Sequence, residues 1–268
     1  MRKPLAIDLC CGLGGWTHGL LAEGWDVVGF DIERHEYDGE KYPAQLVLQD
    51  ILTIDGRQFR GKASLIVASP PCQEYSYMAM PWSRAKQIAR GLRGEGDFPE
   101  GYRGSRTKAE LTALFDACFR IQREASAAAG RHIPLVVENV RGAQPWVGKA
   151  RANYGSFYLW GDVPALMPRP HKARKTIAHV NKRDGYSHTR HLTNQAEHEA
   201  VKHSGTKQPG IGGPRANGKG DAWFQDGAAR HGSKSSARKA ASARIAKIPI
   251  ALSRWIARYY YPAQEQIA

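Results

Sequence analysis

The sequence predicts an α/β fold with a mostly parallel sheet, and three observations lead to this prediction. Apolar runs at residues 65–67 and 133–137 have the length and the β-branched content of buried strands. A glycine-rich turn follows the first apolar run of the chain, as it does in strand–turn–helix units. Residues 107–129 carry apolar side chains at helical spacing. Strands that alternate with helices in this way are typical of an open α/β sheet.

The first predicted strand covers residues 4–9 and leads into a tight turn. Gly12, Gly14 and Gly15 form this turn, and residues 16–23 continue as an amphipathic helical run. Glycine allows a bound cofactor to approach the main chain closely, where a Cβ would obstruct it. Many α/β proteins contain such a turn, so this segment alone indicates only a candidate cofactor loop.

The second predicted strand covers residues 25–30 and ends next to an acidic residue. Asp31 follows Asp8 by 23 positions. Nucleotide-binding α/β folds place a carboxylate at about this spacing, where it accepts hydrogen bonds from ribose hydroxyls. Glu33 is an alternative for the same role. The third glycine of the dinucleotide pattern G-x-G-x-x-G is missing, which disfavours NAD.

A thiol follows the next predicted strand, residues 65–67. Pro70 and Pro71 fix φ and remove two backbone donors, so no helix begins before Cys72. The thiol is therefore expected at the carboxyl end of the strand, the edge at which open α/β sheets bind ligands. The alternative is that Cys72 is a small buried hydrophobic residue, as free cysteines commonly are.

A carboxyl group is predicted at the same edge. The strand at residues 133–137 leads directly into Glu138 and Asn139. Because parallel strands end at the same edge of a sheet, we expect Glu138 to share a crevice with Cys72.

Five segments of the chain occur in the order in which cytosine-C5 DNA methyltransferases carry their motifs. The segments are Asp8-Leu9-Cys10-Cys11-Gly12-Leu13-Gly14-Gly15, Phe30-Asp31-Ile32-Glu33, Asp50-Ile51, Pro71-Cys72-Gln73 and Glu138-Asn139-Val140. Through them the chain resembles that family over residues 5–160, and weakly again over residues 244–257. An ordered match of five parts is far more specific than any one of them.

The resemblance implies a Rossmann-like S-adenosylmethionine-dependent methyltransferase domain, formed by residues 1–160 and 244–268. It implies cofactor contacts by Asp8, Cys10, Gly12, Leu13, Gly14, Gly15, Asp31, Ile32, Asp50, Ile51 and Pro71. In this assignment Asp31 binds the ribose, Ile32 lies against the adenine and Asp50 lies near the adenine amino group. Asp50 has a simpler alternative, because Asp readily caps the start of a helix.

The resemblance also implies a reaction. The thiolate of Cys72 adds to C6 of a flipped-out cytosine, C5 accepts the methyl group, a base removes the C5 proton, and the thiolate leaves. Glu138 holds or protonates N3, and Asn139 orients that carboxyl group and the turn. Arg151 is the candidate counterpart of an arginine in the family's Gln-x-Arg-x-Arg motif, a string that this chain lacks.

The net charge of +14 predicts a polyanionic partner. Residues 161–243 hold fifteen Lys or Arg against six Asp or Glu, so most of the excess lies there. In position this basic, irregular lobe matches the family's target-recognition region, and the predicted partner is double-stranded DNA. Histidines are found at 188, 191, 198 and 203 without a carboxylate or thiol at ligand spacing, so we expect phosphate or base contacts and no metal.

Two other segments carry structural predictions. Residues 74–106 form a long, basic, polar stretch that we interpret as a loop able to close over a substrate, with a flexible surface excursion as the alternative. After Ile248-Pro249 a helical pattern returns, with Leu252, Trp255, Ile256 and Tyr259 on one side. The family's terminal Gly-Asn pair is absent there, which leaves a cofactor contact from this end in doubt.

Cysteine use and hydropathy predict the compartment. The four cysteines have no C-x-x-C spacing, no secretory signal precedes the first strand, and no apolar run approaches the roughly 18–20 residues of a membrane span. We therefore expect a cytoplasmic protein without a membrane span. We also expect it to be a monomer.

Three other functions remain open. One branch of the same family with a Pro-Pro-Cys-Gln motif acts on tRNA, so the chain is alternatively an RNA cytosine-C5 methyltransferase. The missing motifs also suit a catalytically silent DNA-binding homologue, although retention of Cys72, Glu138 and Asn139 argues against it. An amino-methyltransferase is disfavoured, since that class places Asp or Asn and an aromatic residue around the Pro-Pro pair, where this chain has Ser69 and Cys72.

Overall fold

A seven-stranded sheet forms the centre of the protein. The structure is a computed structural model and describes residues 3–72, 75–76, 82–99, 107–168, 179–180, 187–188, 239–240, 243–244 and 246–263. The strands of the sheet are β1 (Leu5–Leu9), β2 (Asp26–Asp31), β5 (Gln45–Leu48), β6 (Ala63–Ala68), β7 (Leu135–Asn139), β8 (Ala152–Tyr154) and β9 (Phe157–Gly161). The pairs β3 (Glu36–Tyr37) with β4 (Glu40–Lys41), and β10 (His179–Val180) with β11 (Ser187–His188), are separate.

The strand order is β5-β2-β1-β6-β7-β9-β8. The first five strands in this order are parallel, whereas β9 runs antiparallel to β7 and β8 antiparallel to β9. The predicted α/β class with a mostly parallel, Rossmann-like sheet is therefore confirmed. Most of the basic stretch at 161–243 lies outside the described residues.

Helices cover both faces of the sheet. On one face lie α1 (Gly15–Ala22) and α5 (Ile250–Tyr259), on the other α3 (Lys108–Ala129) and two short 3-10 helices, Ile51–Thr53 and Gly56–Phe59. The core on the first face includes Trp16, Leu20, Trp25, Leu252 and Ile256. The core on the second includes Phe30, Ile66, Phe115, Cys118 and Ile121. The short helix α4 (Gln144–Val147) follows a 3-10 turn after β7.

Helix α3 agrees with its sequence prediction because both of its ends are specified locally. The Thr107 side chain accepts from the N–H of Glu110, and the Glu110 carboxylate accepts from the N–H of Thr107, which is a complete capping box. Gly130 ends the helix with a φ of 65°, a conformation that suits glycine.

The interpretation of residues 74–106 as a loop is wrong for its middle, which forms α2 (Trp82–Leu92). Only Ala85 and Ile88 of this helix are buried, and the other positions are mostly polar. Two apolar side chains three positions apart give a stripe too narrow to be distinguished from a polar loop in the sequence.

Helix α5 packs closely on α1. A Cβ added at Gly15 would lie 2.3 Å from the main-chain nitrogen of Ile248, and one added at Gly19 would lie 2.1 Å from Oγ of Ser253. The Glu23 carboxylate accepts hydrogen bonds from Arg254 and Arg258 at distances of 2.5 and 2.8 Å. These contacts hold the carboxyl-terminal helix beside the glycine turn.

The prediction that Tyr259 lies on the buried side of α5 is wrong, because Tyr259 is 57% exposed. The small residues Ser253 and Ala257 are buried in addition to the predicted Leu252 and Ile256. The reason is the close approach of α5 to Gly19. Only small side chains such as Ser253 fit at this interface, so the side of α5 that carries Tyr259 is turned away from it. Beyond the helix, the Tyr260 hydroxyl donates to the main-chain oxygen of Asp162, at the end of β9.

We expect Gly19→Ala to lower the free energy of unfolding by about 1–3 kcal/mol through overpacking against Ser253 and Arg254. This loss would oppose the intrinsic preference of helices for alanine. Urea unfolding measures it. Leu21→Ala is the matched control, because Leu21 lies on α1 but is exposed, and it should change stability by about 0.5 kcal/mol or less. Equal effects of the two substitutions would contradict the close packing.

Within the described part of the chain, every helix is too short or too polar to cross a membrane.

Candidate active site

The turn after β1 has a main-chain geometry that requires glycine. Cys10, Gly12 and Gly14 have φ values of 54°, 51° and 76°, which are left-handed. A Cβ added at Gly14 would lie 2.5 Å from Cδ of Pro43, so this side of the turn is closed. Among the atoms of the described residues, none lies within 4 Å of a Cβ added at Gly12. The open side at Gly12 is where a ligand can approach the main chain.

Asp31 joins the end of β2 to this turn. Its carboxylate accepts from the N–H of Gly12 at 2.9 Å and from the N–H of Ile32 at 2.8 Å. Burial raises the pKa of Asp31, but hydrogen bonds from His35 and Gly12 outweigh burial, so the pKa lies below its ordinary value. Ile32 is 53% exposed beside it, and Glu33 is also exposed. Of the two acids that the sequence left open, Asp31 is the one fixed to the glycine turn.

Asp8 is buried near the end of β1 with half of its carboxylate unpaired. Oδ2 accepts from the Thr17 hydroxyl at 2.6 Å, whereas Oδ1 has no hydrogen-bond partner among the described residues. Burial raises its pKa to about 8. Burial likewise raises the pKa values of the neighbouring thiols of Cys10 and Cys11. A buried carboxylate oxygen that lacks a hydrogen-bond partner is suited to pairing with a cationic ligand group.

Asp50 caps the start of a helix, which is the simpler of the two roles that the sequence suggests for it. Its side chain accepts from the N–H of Leu52 at 3.0 Å and caps the 3-10 helix Ile51–Thr53. The Ile51 side chain is buried in the core below. Cofactor contacts of both residues stay predictions.

The turn that carries Cys72 is anchored at both ends. Before it, the Ser69 N–H donates to the carbonyl of Leu9 at 3.1 Å, and Trp16 Nε1 donates to the Ser69 hydroxyl at 3.0 Å. After it, the Tyr75 N–H donates to the Cys72 carbonyl at 3.0 Å, and the buried Tyr75 side chain donates its hydroxyl to Leu111. Cys72 itself is partly exposed, so it is not the buried hydrophobic residue of the alternative reading.

Glu138 and Cys72 lie at the same edge of the sheet. Strands β6 and β7 are parallel neighbours, with Ala68 opposite Val137. Asn139 Nδ2 donates to the carbonyl of Pro70 at 2.9 Å, which ties the thiol-bearing turn to the strand that carries Glu138. Glu138 is 6% exposed. The orientation of its carboxyl group by Asn139 stays a prediction, since Asn139 Oδ1 accepts from the N–H of Val140.

Arg151 lies at the rim of this arrangement. It is exposed and donates its N–H to the carbonyl of Leu159 at 2.8 Å, directly before β8. In the sheet register, Leu159 of β9 lies opposite both Glu138 of β7 and Ala152 of β8. Arg151 directly precedes Ala152, so its main chain is two strand spacings, about 10 Å, from β7. Its catalytic role stays a prediction.

The sequence analysis missed Thr17 and Tyr42. The Tyr42 hydroxyl lies 2.6 Å from the hydroxyl of Thr17, which in turn contacts Asp8. The one available signal was Gly29 in the interior of β2, because glycine within a strand often marks close approach of another group.

Some predicted features lie outside the described residues. They include Gln73 of the Pro-Cys-Gln motif and the histidines at 191, 198 and 203; His188 lies in β11, of which only the main chain is described. Where the structure describes the chain, no group of three His, Cys, Asp or Glu side chains is placed to hold a metal ion.

We expect His35→Gln to lower the free energy of unfolding by about 0.5–1 kcal/mol at pH 5.5 and to leave it unchanged at pH 9. His35 Nε2 lies 3.5 Å from the Asp31 carboxylate, and this contact raises the pKa of His35. A raised pKa gives stability that is complete below the unfolded value of about 6.5 and is lost as pH rises through the folded value.

Urea unfolding at the two pH values checks the effect of His35→Gln. His132→Gln is the matched control for loss of a histidine, because it removes a more exposed pair with Asp162. A pH-independent loss in His35→Gln would contradict the electrostatic role.

A comparison with known proteins supports the resemblance over the first third of the chain. Residues 5–86 match the family model for C-5 cytosine-specific DNA methylases. The predicted resemblance to cytosine-C5 methyltransferases is thereby confirmed over this part of the chain, which includes the glycine turn and Cys72.

Individual relatives are more distant. The type II methylase M.HgiDII of Herpetosiphon aurantiacus is 33% identical over 79 residues, which cover 26% of this chain and 22% of that protein. The match thus spans about a fifth of that relative's length. Entamoeba histolytica methyltransferase EhMeth is 14% identical with a TM-score of 0.35, covering 55% of this chain and 41% of that one. Dnmt2 of S. pombe is 16% identical with a TM-score of 0.25, covering 53% and 36%.

Proposed function

We propose that this chain transfers a methyl group from S-adenosylmethionine to C5 of cytosine in double-stranded DNA, through a covalent adduct between Cys72 and C6. The observation that carries the proposal is the hydrogen bond from Asn139 to Pro70, because it joins the turn of the thiol to the strand of Glu138. The glycine turn lies one strand away, on β1. Nucleophile, acid and cofactor loop thus share one sheet edge.

The residues around the glycine turn fit S-adenosylmethionine. The open side of Gly12 leaves room for the ligand, Asp31 offers a carboxylate for the ribose, and exposed Ile32 offers an apolar face for the adenine. The Asp8 oxygen that has no partner among the described residues suits a positively charged group. When bound, this cofactor supplies an electrophilic methyl group.

The protein's own residues make cytosine reactive. C5 is a poor nucleophile until a thiolate adds to C6 and makes the C5–C6 bond enamine-like. A free thiol is only a few per cent ionised near neutral pH, so the addition is coupled to proton movement. Glu138 protonates or holds N3 and so stabilises the charge that the attack moves into the ring. After methyl transfer a base removes the C5 proton, and the C6–S bond breaks.

The target base must leave the helix before this reaction, at a cost of a few kcal/mol. We propose that the basic stretch at 161–243 offsets the cost by binding phosphates and serves as the target-recognition region, beside a catalytic domain of residues 1–160 and 244–268. Activity should then fall steeply with salt.

A methyl-transfer assay with labelled S-adenosylmethionine tests the proposal. Duplex DNA and total tRNA are offered separately, and bisulfite sequencing then locates the modified cytosines. We expect label in duplex DNA at C5. Label only in tRNA would favour the RNA enzyme, and binding of cofactor and DNA without any transfer would favour the silent homologue.

A further inference from the structure

Tyr42 is buried against β2, beside the glycine turn. It follows β4, and its ring crosses β2, so that a Cβ added at Gly29 would lie 2.3 Å from Cζ and 2.4 Å from the hydroxyl. Gly29 is paired in register with Asp8 on the neighbouring strand. The adjoining Pro43 closes one side of the glycine turn at Gly14.

A chain of hydroxyl groups runs from Tyr42 to Asp8. The Thr17 hydroxyl donates its single proton to Asp8 Oδ2 at 2.6 Å. It lies 2.6 Å from the Tyr42 hydroxyl as well. When Asp8 is ionised, the Thr17 proton is used in the bond to Asp8, so Thr17 can only accept from Tyr42, and Tyr42 is the donor. Both hydrogen bonds then donate in the direction of Asp8 and stabilise its ionised form.

We propose that Tyr42 is a positioning residue of the cofactor site. It fixes Thr17 and thereby orients Asp8, whose buried second oxygen has no partner among the described residues and would pair with a cationic group of S-adenosylmethionine. The inference rests on the proposed function for the identity of the cofactor. It adds a residue outside the motifs that carry the family resemblance, supplied by the segment after the β3–β4 hairpin.

The charge of Asp8 gives this role a pH signature. The ionisable groups around Asp8 include Asp31, Cys10, Cys11 and Tyr42, all of which are acids. With its pKa raised to about 8 by burial, Asp8 is mostly neutral at pH 7 in the free protein. A cationic ligand favours the ionised form, so the affinity for S-adenosylmethionine should increase with pH and level off near pH 8.

Tyr42→Phe tests the inference, because it keeps the ring over Gly29 and removes only the donor. Calorimetric titration with S-adenosylmethionine is carried out between pH 6 and 9 on the full chain. We expect the Kd at pH 7 to rise roughly fivefold, the worth of one hydrogen bond, and the pH at which affinity levels off to move upward. Tyr261→Phe is the matched control, since its ring packs on Trp25 away from Asp8, and it should keep the wild-type profile.

The outcomes separate this inference from the proposed function. Wild-type binding with an unchanged Kd and pH profile in Tyr42→Phe overturns the role of Tyr42 alone. A lower melting temperature with an unmoved pH profile also overturns it, because that result describes a purely structural side chain. No binding by the wild type overturns the proposed cofactor and this inference with it.

Discussion

The Cys72→Ala variant should lose methyl transfer by roughly 10⁴-fold or more, while it still binds S-adenosylmethionine and DNA. The loss is large because C5 of cytosine has no other route to an enamine-like state when the thiolate cannot add at C6. Binding should persist because contacts of Ser69, Asn139 and Tyr75 hold the turn in place. A labelled-methyl assay checks the loss of transfer, and gel-shift measurements check that DNA binding persists.

Cys118→Ala is the matched control for loss of a thiol. Cys118 is fully buried in α3, and burial raises its pKa to about 12, so it is a core residue and not a nucleophile. This variant should keep its rate per folded molecule. Full activity in Cys72→Ala would remove the covalent mechanism, whatever the control shows.

We expect Glu138→Gln to slow methyl transfer by roughly 10²- to 10⁴-fold without weakening cofactor binding. Glutamine keeps the shape of a side chain that is 6% exposed, but it cannot protonate N3 of the target base. The Kd for S-adenosylmethionine should stay at its wild-type value, because the glycine turn and Asp31 belong to β1 and β2 and not to β7. Single-turnover rates and calorimetry separate the two effects.

Asp26→Asn provides the control for Glu138→Gln. Asp26 is an exposed carboxylate at the amino end of β2, the opposite end from the site, and its replacement should change neither rate nor Kd. If Glu138→Gln transferred methyl groups at the wild-type rate, the acid would have to come from elsewhere and the proposed chemistry would fail.

The strands and the long helix could be predicted because their signals are local. The run at 65–67 and the capping box at Thr107 specify their elements without reference to distant residues. The placement of Cys72 and Glu138 at one sheet edge could be predicted from strand direction alone, since parallel neighbours end together.

The features that escaped prediction depend on contacts between distant segments. Thr17 and Tyr42 become neighbours of Asp8 only when α1 and the hairpin segment fold onto the sheet. The outward position of Tyr259 is set by Gly19 on another helix. No pattern within one short stretch of sequence encodes a contact between distant segments. A residue type such as glycine can therefore suggest that a close contact exists, but it cannot identify the partner.

The hydrogen bond between Tyr260 and Asp162 has an evolutionary consequence. It joins the point where the chain leaves β9 to the carboxyl end of α5, and α5 packs on the sheet, so the elements on both sides of positions 163–249 belong to the sheet domain. A segment that is flanked by well-packed elements of its host can be exchanged, lengthened or shortened with little effect on the host. Under the proposed function, this stretch can therefore diversify in sequence and length to change specificity, while the proposed reacting groups keep their places.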